Sequence, residues 1–192
     1  MLQTQGRLFD LDQFIADCRT TAKGDPTLRA VREVVARAVS EPTAVMRVLG
    51  EPKRAAVQKL YSSTELTILN LVWAPHMTFP PHNHQMWAII GIYGGSEDNV
   101  FWRRIEGEPG GKIEDTGAKT LAEKDTVPLG RDVIHSVTNS ASRFTGALHI
   151  YGGDFFGTKR SEWDTQTLLE EPYDVEKTLR LFEEANERRP RN

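Results

Sequence analysis

Hydrophobic and polar residues follow a helical spacing in the first quarter of the chain. Residues 10–49 show this spacing, most clearly in DPTLRAVREVVARAVS. The apolar positions that share one face of this predicted helix are Leu28, Val31, Val35 and Ala38. Asp25 is its predicted N-cap, and Pro26 occupies the first helical position. The segment EPTAVMRVLG predicts a further short helix that ends at Gly50.

From about residue 57 to residue 153 the pattern changes to short runs rich in β-branched and aromatic residues. The predicted strands lie in ELTILNLVWA, MWAIIGIYGG, EDNVFWRRIEG, VIHSVTN and FTGALHIYGG. Turn signals separate them in APHMTFPP, GGSEDN, GEPGGK, PLGRD and NSASR. Because no helical segment interrupts these strands, we expect an antiparallel sandwich, jelly roll or barrel and no parallel sheet. A final helix is predicted in DVEKTLRLFEEANER, with Asp174 as its cap.

Length and composition limit the classes of protein to which this chain can belong. The 192 residues fit a single domain, with a helical packing segment at 1–56, a β-barrel at 57–160 and a C-terminal extension at 161–192. Apolar residues make up 39% and charged residues 27%, which is typical of a globular protein. The net charge is −3 and no basic stripe is present, so no nucleic-acid partner is expected. No apolar run has the length of a membrane span, so no membrane partner is expected either.

The chain contains one cysteine, Cys18. A single cysteine excludes an internal disulfide and any zinc or iron–sulfur site built on several cysteines. The N-terminus, MLQTQGRLFD, lacks the pattern of a signal peptide, and together these features predict a cytoplasmic protein. Cys18 lies in LDQFIADC, where apolar residues recur at helical spacing. We therefore expect a buried packing residue and not a nucleophile.

The histidines give the first indication of chemistry. In FPPHNHQMW, His82 and His84 follow a Pro-Pro bend that is expected to begin a strand. Residues i and i+2 of a strand point to the same face, so the two imidazoles can lie side by side. His135, in PLGRDVIHSVTN, is the candidate for a third metal ligand, since a Gly-containing turn leads there into a strand. The alternative is a pair of partly exposed strand histidines without a metal, and His76, in the turn APHMTF, is expected to be exposed.

These residues carry a resemblance to a known superfamily. PPHNHQMWAIIGIYGG resembles the first cupin motif and PLGRDVIHSVTN the second. Together with ALHIYGGDFFGTKR, the first motif is similar to the thiol dioxygenases of the cysteine dioxygenase type I family, especially the bacterial members that include 3-mercaptopropionate dioxygenases. The similarity spans roughly residues 57–160. It implies an all-β fold, the cupin double-stranded β-helix or jelly-roll barrel, here with N-terminal helices and a C-terminal helix.

The resemblance also implies a metal site. The three metal ligands of the family fall on His82, His84 and His135, and the implied cofactor is Fe(II), with nickel or zinc as alternative occupants. Ordinary cupins add a glutamate four or five residues after the second histidine, where this chain has Ala88 and Ile89. A site of three neutral histidines leaves the full 2+ charge on the metal. That charge favours an anionic thiolate ligand.

A predicted catalytic pair follows in ALHIYG. The resemblance implies that His149 hydrogen-bonds Tyr151, whose hydroxyl lies near the substrate. The family has a serine where this chain has Ala147, so the relay is expected to lack its outermost hydroxyl or to use a water instead. Without the resemblance, His149 is better explained as a satisfied core histidine and Tyr151 as an aromatic that fills the barrel.

Two residues are predicted to bind the substrate. Arg160, in GTKR, matches a basic position that mercaptopropionate-type enzymes have after H-x-Y-G. A guanidinium can hold a carboxylate through two charge-assisted hydrogen bonds, although Arg160 is also compatible with a surface loop charge. Gln58, in AAVQKLYSS, stands where the mammalian-type cysteine enzymes have an arginine, as in the glutamine-bearing bacterial subgroup.

The resulting expectation is an Fe(II)-dependent thiol dioxygenase that adds O2 to the sulfur of a small thiol to give a sulfinate. The expected partners are the thiol and O2, and exposed barrel edges are compatible with a homodimer without fixing the oligomeric state. Two alternatives remain open. Three histidines and an open position also describe a catalytic zinc site, hence a hydrolase-like cupin, although no carboxylate in the motifs is placed as a general base. A non-catalytic cupin that binds a metal or a metabolite is the other alternative, and Ala147 favours it.

Overall fold

Helices begin and end the part of the chain that is described. A computed structural model describes residues 8–24 and 27–188. The helices are α1 (Leu11–Thr21), α2 (Arg29–Val39), α3 (Pro42–Leu49) and α4 (Val175–Glu187), with a short 3-10 turn at Pro109–Gly111. Asp174 caps α4, as predicted, by accepting a hydrogen bond from the Lys177 backbone N–H at 3.0 Å. The predicted cap Asp25 and its neighbour Pro26 lie outside the described residues, and α2 follows Leu28, whose φ is 59°.

The β-strands form two antiparallel sheets. The strands are β1 (Ala56–Ser62), β2 (Thr67–Trp73), β3 (Thr78–Asn83), β4 (Ala88–Gly94), β5 (Ser96–Arg104), β6 (Ile113–Ala122), β7 (Thr126–Leu129), β8 (Ile134–Thr138), β9 (Thr145–Tyr151), β10 (Ser161–Trp163) and β11 (Glu170–Pro172). The first sheet has the order β1-β2-β9-β4-β7 and the second the order β11-β10-β3-β8-β5-β6. This two-sheet arrangement with flanking helices confirms the predicted jelly-roll barrel. Strands β10 and β11 extend the second sheet beyond residue 160.

The first sheet is covered on both faces. Alternate residues of its central strands contribute to two different hydrophobic clusters, as the two-residue period of a strand requires. On β2, for example, Leu69 belongs to the core inside the barrel, whereas Ile68 belongs to the core beneath the N-terminal helices. Gly91 allows α2 to approach β4 closely, because a Cβ at position 91 would lie 2.5 Å from Val35 Cγ1. Cys18 is fully buried in the helix-side core, as expected.

The path of the chain at the two prolines differs from the sequence expectation. Pro80 and Pro81 lie inside β3 and do not precede it, and the register with β8 shifts between Phe79 and His82. A proline has no N–H to donate to the ladder, so an irregularity of this kind is where a strand tolerates it. The irregularity ends directly before His82. Among the described helices, none has the length and apolar character that a transmembrane span requires.

Candidate metal centre

Two neighbouring strands of the second sheet bring three histidines together. His82 on β3 pairs with His135 on β8 in antiparallel register, and His84 follows one residue after the end of β3. The Nε2 atom of His84 lies 3.2 Å from His82 Nε2 and 3.3 Å from His135 Nε2. The structure thus brings together the three residues that were predicted as metal ligands, with their ligand atoms all within 4.8 Å of one another.

Hydrogen bonds on the far side of two rings determine which nitrogen faces the cluster. His82 Nδ1 lies 3.0 Å from the carbonyl oxygen of Pro80, and His135 Nδ1 lies 2.8 Å from Asn99 Oδ1. Because both partners are acceptors, each Nδ1 carries the proton and each Nε2 keeps a free lone pair. The Nδ1 atom of His84 is buried without a hydrogen-bond partner. At least two of the three imidazoles are therefore oriented as metal ligands by their own surroundings.

Burial keeps the three imidazoles neutral. The exposed fractions of the residues are 6% for His82, 2% for His84 and 1% for His135. Burial lowers the pKa of His82 to about 3, and it lowers the pKa values of His84 and His135 well below the ordinary value of 6.5. The neutral form is the one that binds a metal. Three adjacent lone pairs without protons are also mutually repulsive, and a cation at their centre would relieve that repulsion.

The spacing and composition of the cluster fit a transition metal. Two nitrogens bound to one ion at about 2.1 Å, with an angle at the ion between roughly 90° and 110°, lie about 3.0–3.4 Å apart. The observed Nε2 distances of 3.2 and 3.3 Å fall in this range. No acidic side chain belongs to the cluster within residues 8–24 and 27–188, and Ala88 is part of the core inside the barrel. Imidazole suits zinc, copper, iron and nickel alike, so the ligands alone do not select the metal.

The opposite sheet contributes Tyr151 and His149. Tyr151, on β9, packs its ring against His84 with centroids 4.9 Å apart. Its hydroxyl oxygen lies 3.0 Å from His149 Nδ1, so the predicted pair is in contact. Both residues are 2% exposed, and burial raises the pKa of the Tyr151 phenol well above its ordinary range. Tyr151 is therefore a protonated hydroxyl beside the histidine cluster.

The sequence analysis did not identify Glu97, which lies on the other side of His149. Its side chain is completely buried, and its Oε1 accepts a 2.6 Å hydrogen bond from Trp73 Nε1. The same oxygen lies 3.4 Å from His149 Nε2. Alternation along EDNVFWRRIEG does place Glu97 and Asn99 on one face of β5, but polar residues on one face of a strand normally indicate its solvent side. The alternation therefore predicts a solvent-facing acid, whereas Glu97 faces the interior.

Arg160 lies close to the cluster but behind two aromatic rings. Its guanidinium carbon is 4.0 Å from the ring centroid of Phe155 and 3.9 Å from that of Tyr173. One Nη atom donates to the carbonyl oxygen of Phe155, whereas Nε and Nη2 are buried without a hydrogen-bond partner. The residue is 7% exposed, so it is not the surface loop charge that was the alternative interpretation. A buried cation with unpartnered N–H groups is suited to an anionic group.

The structure does not bring Gln58 to this site. Its side chain is exposed, and its Oε1 accepts a hydrogen bond from Asn70 Nδ2 at 3.0 Å. Asn70 in turn accepts from the hydroxyl of Tyr93, which belongs to the helix-side core. Because successive residues of a strand alternate, the neighbouring Val57 lines the cavity and Gln58 points away from it. Gln58 therefore does not line the cavity beside the three histidines.

A cavity of about 30 Å³ adjoins the three histidines, His149 and Tyr151. The rest of its wall is mainly apolar, and the residues that form it are Val57, Leu69, Leu71, Trp73, Phe79, Val137, Phe155, Tyr173, Thr178 and Phe182. The last three come from the segment leading into α4 and from α4 itself, which closes this end of the barrel. A volume of this size holds about one water molecule. A larger ligand therefore requires part of the wall to move.

No protein-family model matches the chain. The similarity to solved structures is low. A cupin family protein with a double-stranded β-helix fold from Methanocaldococcus jannaschii is 16% identical with a TM-score of 0.45, and the match covers 54% of this chain and 84% of that one. An uncharacterized protein with a double-stranded β-helix domain from Klebsiella pneumoniae is 9% identical, with a TM-score of 0.42 and coverages of 60% and 89%. Oxalate decarboxylase from Bacillus subtilis is 15% identical, with a TM-score of 0.38 and coverages of 48% and 22%. Values this low carry no argument about chemistry, which has to come from the residues of this chain.

Proposed function

We propose that the protein is an Fe(II)-dependent thiol dioxygenase whose substrate is a small thiol carboxylate of the 3-mercaptopropionate type. The observation that carries the proposal is the combination of a neutral three-histidine cluster and, behind the rings of Phe155 and Tyr173, a buried guanidinium with unpartnered N–H groups. The proposal also uses the resemblance of the motifs around His82, His135 and His149 to the thiol dioxygenases.

Charge balance supports an anionic substrate. Three neutral imidazoles leave the 2+ charge of a bound metal uncompensated, and Arg160 adds a second positive charge nearby. No acidic side chain joins the cluster in the described chain, and Glu97 already has Trp73 and His149 as partners. A ligand with a thiolate at one end and a carboxylate at the other would place one negative charge beside each of these two cations.

The lining of the cavity supports one class of thiol over another. Apart from the histidines, its polar side-chain groups are the hydroxyls of Tyr151, Tyr173 and Thr178 and the indole N–H of Trp73. The Thr178 hydroxyl donates to Tyr173, and the indole donates to Glu97. No carboxylate or amide side chain among the lining residues is free to accept hydrogen bonds from an ammonium group. The amino group of cysteine would therefore be desolvated without compensation. A thiol acid without that amino group suits this wall better.

The chemistry divides among a few groups. Fe(II) held by His82, His84 and His135 would provide the place where thiolate and O2 meet, so that both oxygen atoms are transferred to sulfur. The overall reaction converts a thiolate and O2 into a sulfinate and is balanced without a further reductant. Arg160 would hold the carboxylate, and the Tyr151 hydroxyl, oriented by His149, would hydrogen-bond the reacting atoms. The apolar wall would keep bulk water away from them.

The test combines metal analysis with oxygen uptake. The full-length protein is loaded anaerobically with Fe(II), its bound iron is measured, and oxygen consumption and product are followed with 3-mercaptopropionate, cysteine, cysteamine and mercaptosuccinate. We expect about one iron per chain and turnover to a sulfinate that is fastest with 3-mercaptopropionate. An iron-loaded sample that consumes no oxygen with any of these thiols would refute the proposed activity.

Two variants test the ligand assignment. His135→Ala should lose most of the bound iron, because it removes one of three nitrogen ligands. His76→Asn is the matched control, since His76 is exposed and has a φ of 60°, a backbone conformation that asparagine adopts readily. The control should bind iron as the unsubstituted protein does. Full iron content in His135→Ala would exclude His135 as a ligand.

A further inference from the structure

A carboxylate is completely buried beside His149, and the proposed function gives it no role. Glu97 stands at the start of β5, in the second sheet, whereas His149 stands on β9, in the first. The Oε1 atom of Glu97 lies 2.6 Å from Trp73 Nε1 and 3.4 Å from His149 Nε2, and the Oε2 atom of Glu97 is buried without a hydrogen-bond partner. The side chain thus spans the interior of the barrel and ends at the imidazole that contacts Tyr151.

The placement of Glu97 has an energetic consequence. Burying a carboxylate is unfavourable unless hydrogen-bond donors or a positive charge compensate for it. The donors that contact this carboxylate are the indole N–H of Trp73 and the Nε2 side of His149. An ionised carboxylate can only accept hydrogen bonds, so the compensation from His149 requires a proton on Nε2. A bare Nε2 would instead place its lone pair against the carboxylate oxygen.

We propose that Glu97 is a positioning residue that holds the proton of His149 on Nε2 and thereby leaves Nδ1 as the acceptor for the Tyr151 hydroxyl. The inference rests on the proposed function only in that Tyr151 acts at the reacting atoms. With Nδ1 as acceptor, the Tyr151 O–H donates to His149 at 3.0 Å, and the remaining lone pairs of the phenol oxygen can face the cavity. The chain of contacts runs from Trp73 through Glu97 and His149 to Tyr151, which packs on the metal-ligand candidate His84.

This arrangement changes the expectation derived from Ala147. The family has a serine at this position, so the relay was expected to lack its outermost hydroxyl or to use a water instead. Ala147 is fully buried in the core inside the barrel and offers His149 no hydrogen-bonding group. Glu97 provides an acceptor from a different strand. An ionised acceptor makes a stronger hydrogen bond than a hydroxyl, so the tautomer of His149 should be fixed more firmly.

The test measures the tautomer directly by NMR. Full-length protein with ¹⁵N-labelled histidine is loaded with diamagnetic Zn(II), and long-range ¹H–¹⁵N correlations show which ring nitrogen carries the proton. His149 is assigned by comparison with His149→Gln. In the unsubstituted protein we expect a protonated Nε2 and an unprotonated Nδ1 for His149, the reverse of the pattern expected for His82 and His135. A proton on Nδ1 of His149 in this sample would overturn the proposal.

Two substitutions at one position separate the role of the acceptor from that of side-chain shape. Glu97→Gln keeps an oxygen that can accept from Trp73 and His149, so the Nε2–H tautomer should persist. Glu97→Leu removes the acceptor, and the proton should move to Nδ1, where the Tyr151 oxygen can accept it. A His149 tautomer that is unchanged in Glu97→Leu would overturn the proposal. If Glu97→Leu does not fold, the tautomer of the unsubstituted protein decides by itself.

Kinetics supply the second measurement. With iron-loaded protein and 3-mercaptopropionate, Glu97→Leu should lower kcat at least about tenfold while KM stays within twofold, because Arg160 is untouched. Glu162→Gln is the control, since it neutralises another buried carboxylate, one paired with Lys177, and should leave the His149 tautomer unchanged. An unsubstituted protein with the expected tautomer but without oxygen uptake would refute the dioxygenase proposal alone. An active Glu97→Leu enzyme with unchanged kcat would refute the role of Glu97 alone.

Discussion

Asn99 offers a sharp test of how the metal site is built, because it contacts a proposed ligand without being one. It is 1% exposed on β5, and its Oδ1 accepts the Nδ1–H of His135 at 2.8 Å. In Asn99→Ala the imidazole loses the acceptor that fixes its tautomer and its orientation. The Nδ1–H of His135 then lies in the barrel without its acceptor. The Nε2 lone pair is no longer held toward the centre of the cluster.

The loss of metal affinity expected in Asn99→Ala follows from this single contact. Removing a hydrogen-bond acceptor from a metal-ligating histidine typically lowers metal affinity 10- to 100-fold, which corresponds to about 1.4–2.7 kcal/mol of binding free energy. The free energy of unfolding should also fall, by about 1–3 kcal/mol, because a buried donor is left unsatisfied. Asn99→Asp should keep the affinity at or above that of the unsubstituted protein, because a carboxylate is a stronger acceptor for the same N–H.

The assay is a Zn(II) titration in competition with a chromophoric chelator, which gives the dissociation constant without turnover. Asn70→Ala is the matched control. Asn70 is also a buried strand asparagine, 3% exposed, but its side chain bonds Gln58 and Tyr93 on the helix side of the first sheet. It should lower stability by a similar amount and leave Zn(II) affinity within twofold. Equal affinities for Asn99→Ala and the unsubstituted protein would refute the conclusion that Asn99 orients His135.

Four further predictions concern the substrate, acid, the thiol and the cavity. Arg160→Met should lower kcat/KM for 3-mercaptopropionate about 10- to 100-fold by raising KM, because charge-assisted hydrogen bonds to the carboxylate are lost, and a KM equal to that of the unsubstituted protein would contradict this role. Any turnover of cysteamine, which has no carboxylate, should be unaffected. The folded-state pKa of His82 is about 3, so between pH 6.5 and pH 3 the unfolded chain binds a proton that the folded chain does not. Denaturant titration of metal-free protein should therefore show that this group lowers the free energy of unfolding by about 2 kcal/mol between pH 7 and pH 5, and His82→Gln should show a smaller loss over the same range. Burial raises the pKa of the Cys18 thiol to about 12, so it should react with a disulfide reagent at pH 8 only after unfolding, and rapid reaction of native protein would contradict its burial. Phe182→Ala should destabilise the fold by about 3–5 kcal/mol and raise the relative turnover of mercaptosuccinate by enlarging the cavity; an unchanged substrate ratio would show that Phe182 does not limit it.

The sequence predicted the parts of the structure that depend on local pattern. Helix α4 has the expected cap at Asp174 because a capping side chain acts on a backbone N–H three residues away. The strands around Leu69 and Ile90 were recognisable because both faces of the central strands are buried, which produces continuous apolar runs. The three histidines were found by spacing and by resemblance, both of which are properties of short segments.

The contacts that were missed all join segments far apart in the chain. Glu97 meets His149 across 52 positions, and nothing in GGSEDN indicates that its acid side chain is buried. The side of β1 on which Gln58 lies depends on the register with β2, where Gln58 pairs with Asn70. A shift of one residue would have exchanged Gln58 and Val57. Pairing register and the choice of buried face are set by tertiary packing, so a single sequence does not fix them.

The proposed functional groups are divided between the two sheets. Because of this division, metal binding and turnover should respond differently to substitutions. His82 lies on β3, His84 directly follows β3 and His135 lies on β8, so the three proposed metal ligands all come from the second sheet or the residue next to it. Tyr151 and His149 belong to the first sheet, so the proposed turnover would depend additionally on how the two sheets face each other. A substitution that loosens the contact between the sheets should therefore reduce kcat before it reduces metal content. Variants that lose metal and turnover in parallel would instead place the damage within the second sheet.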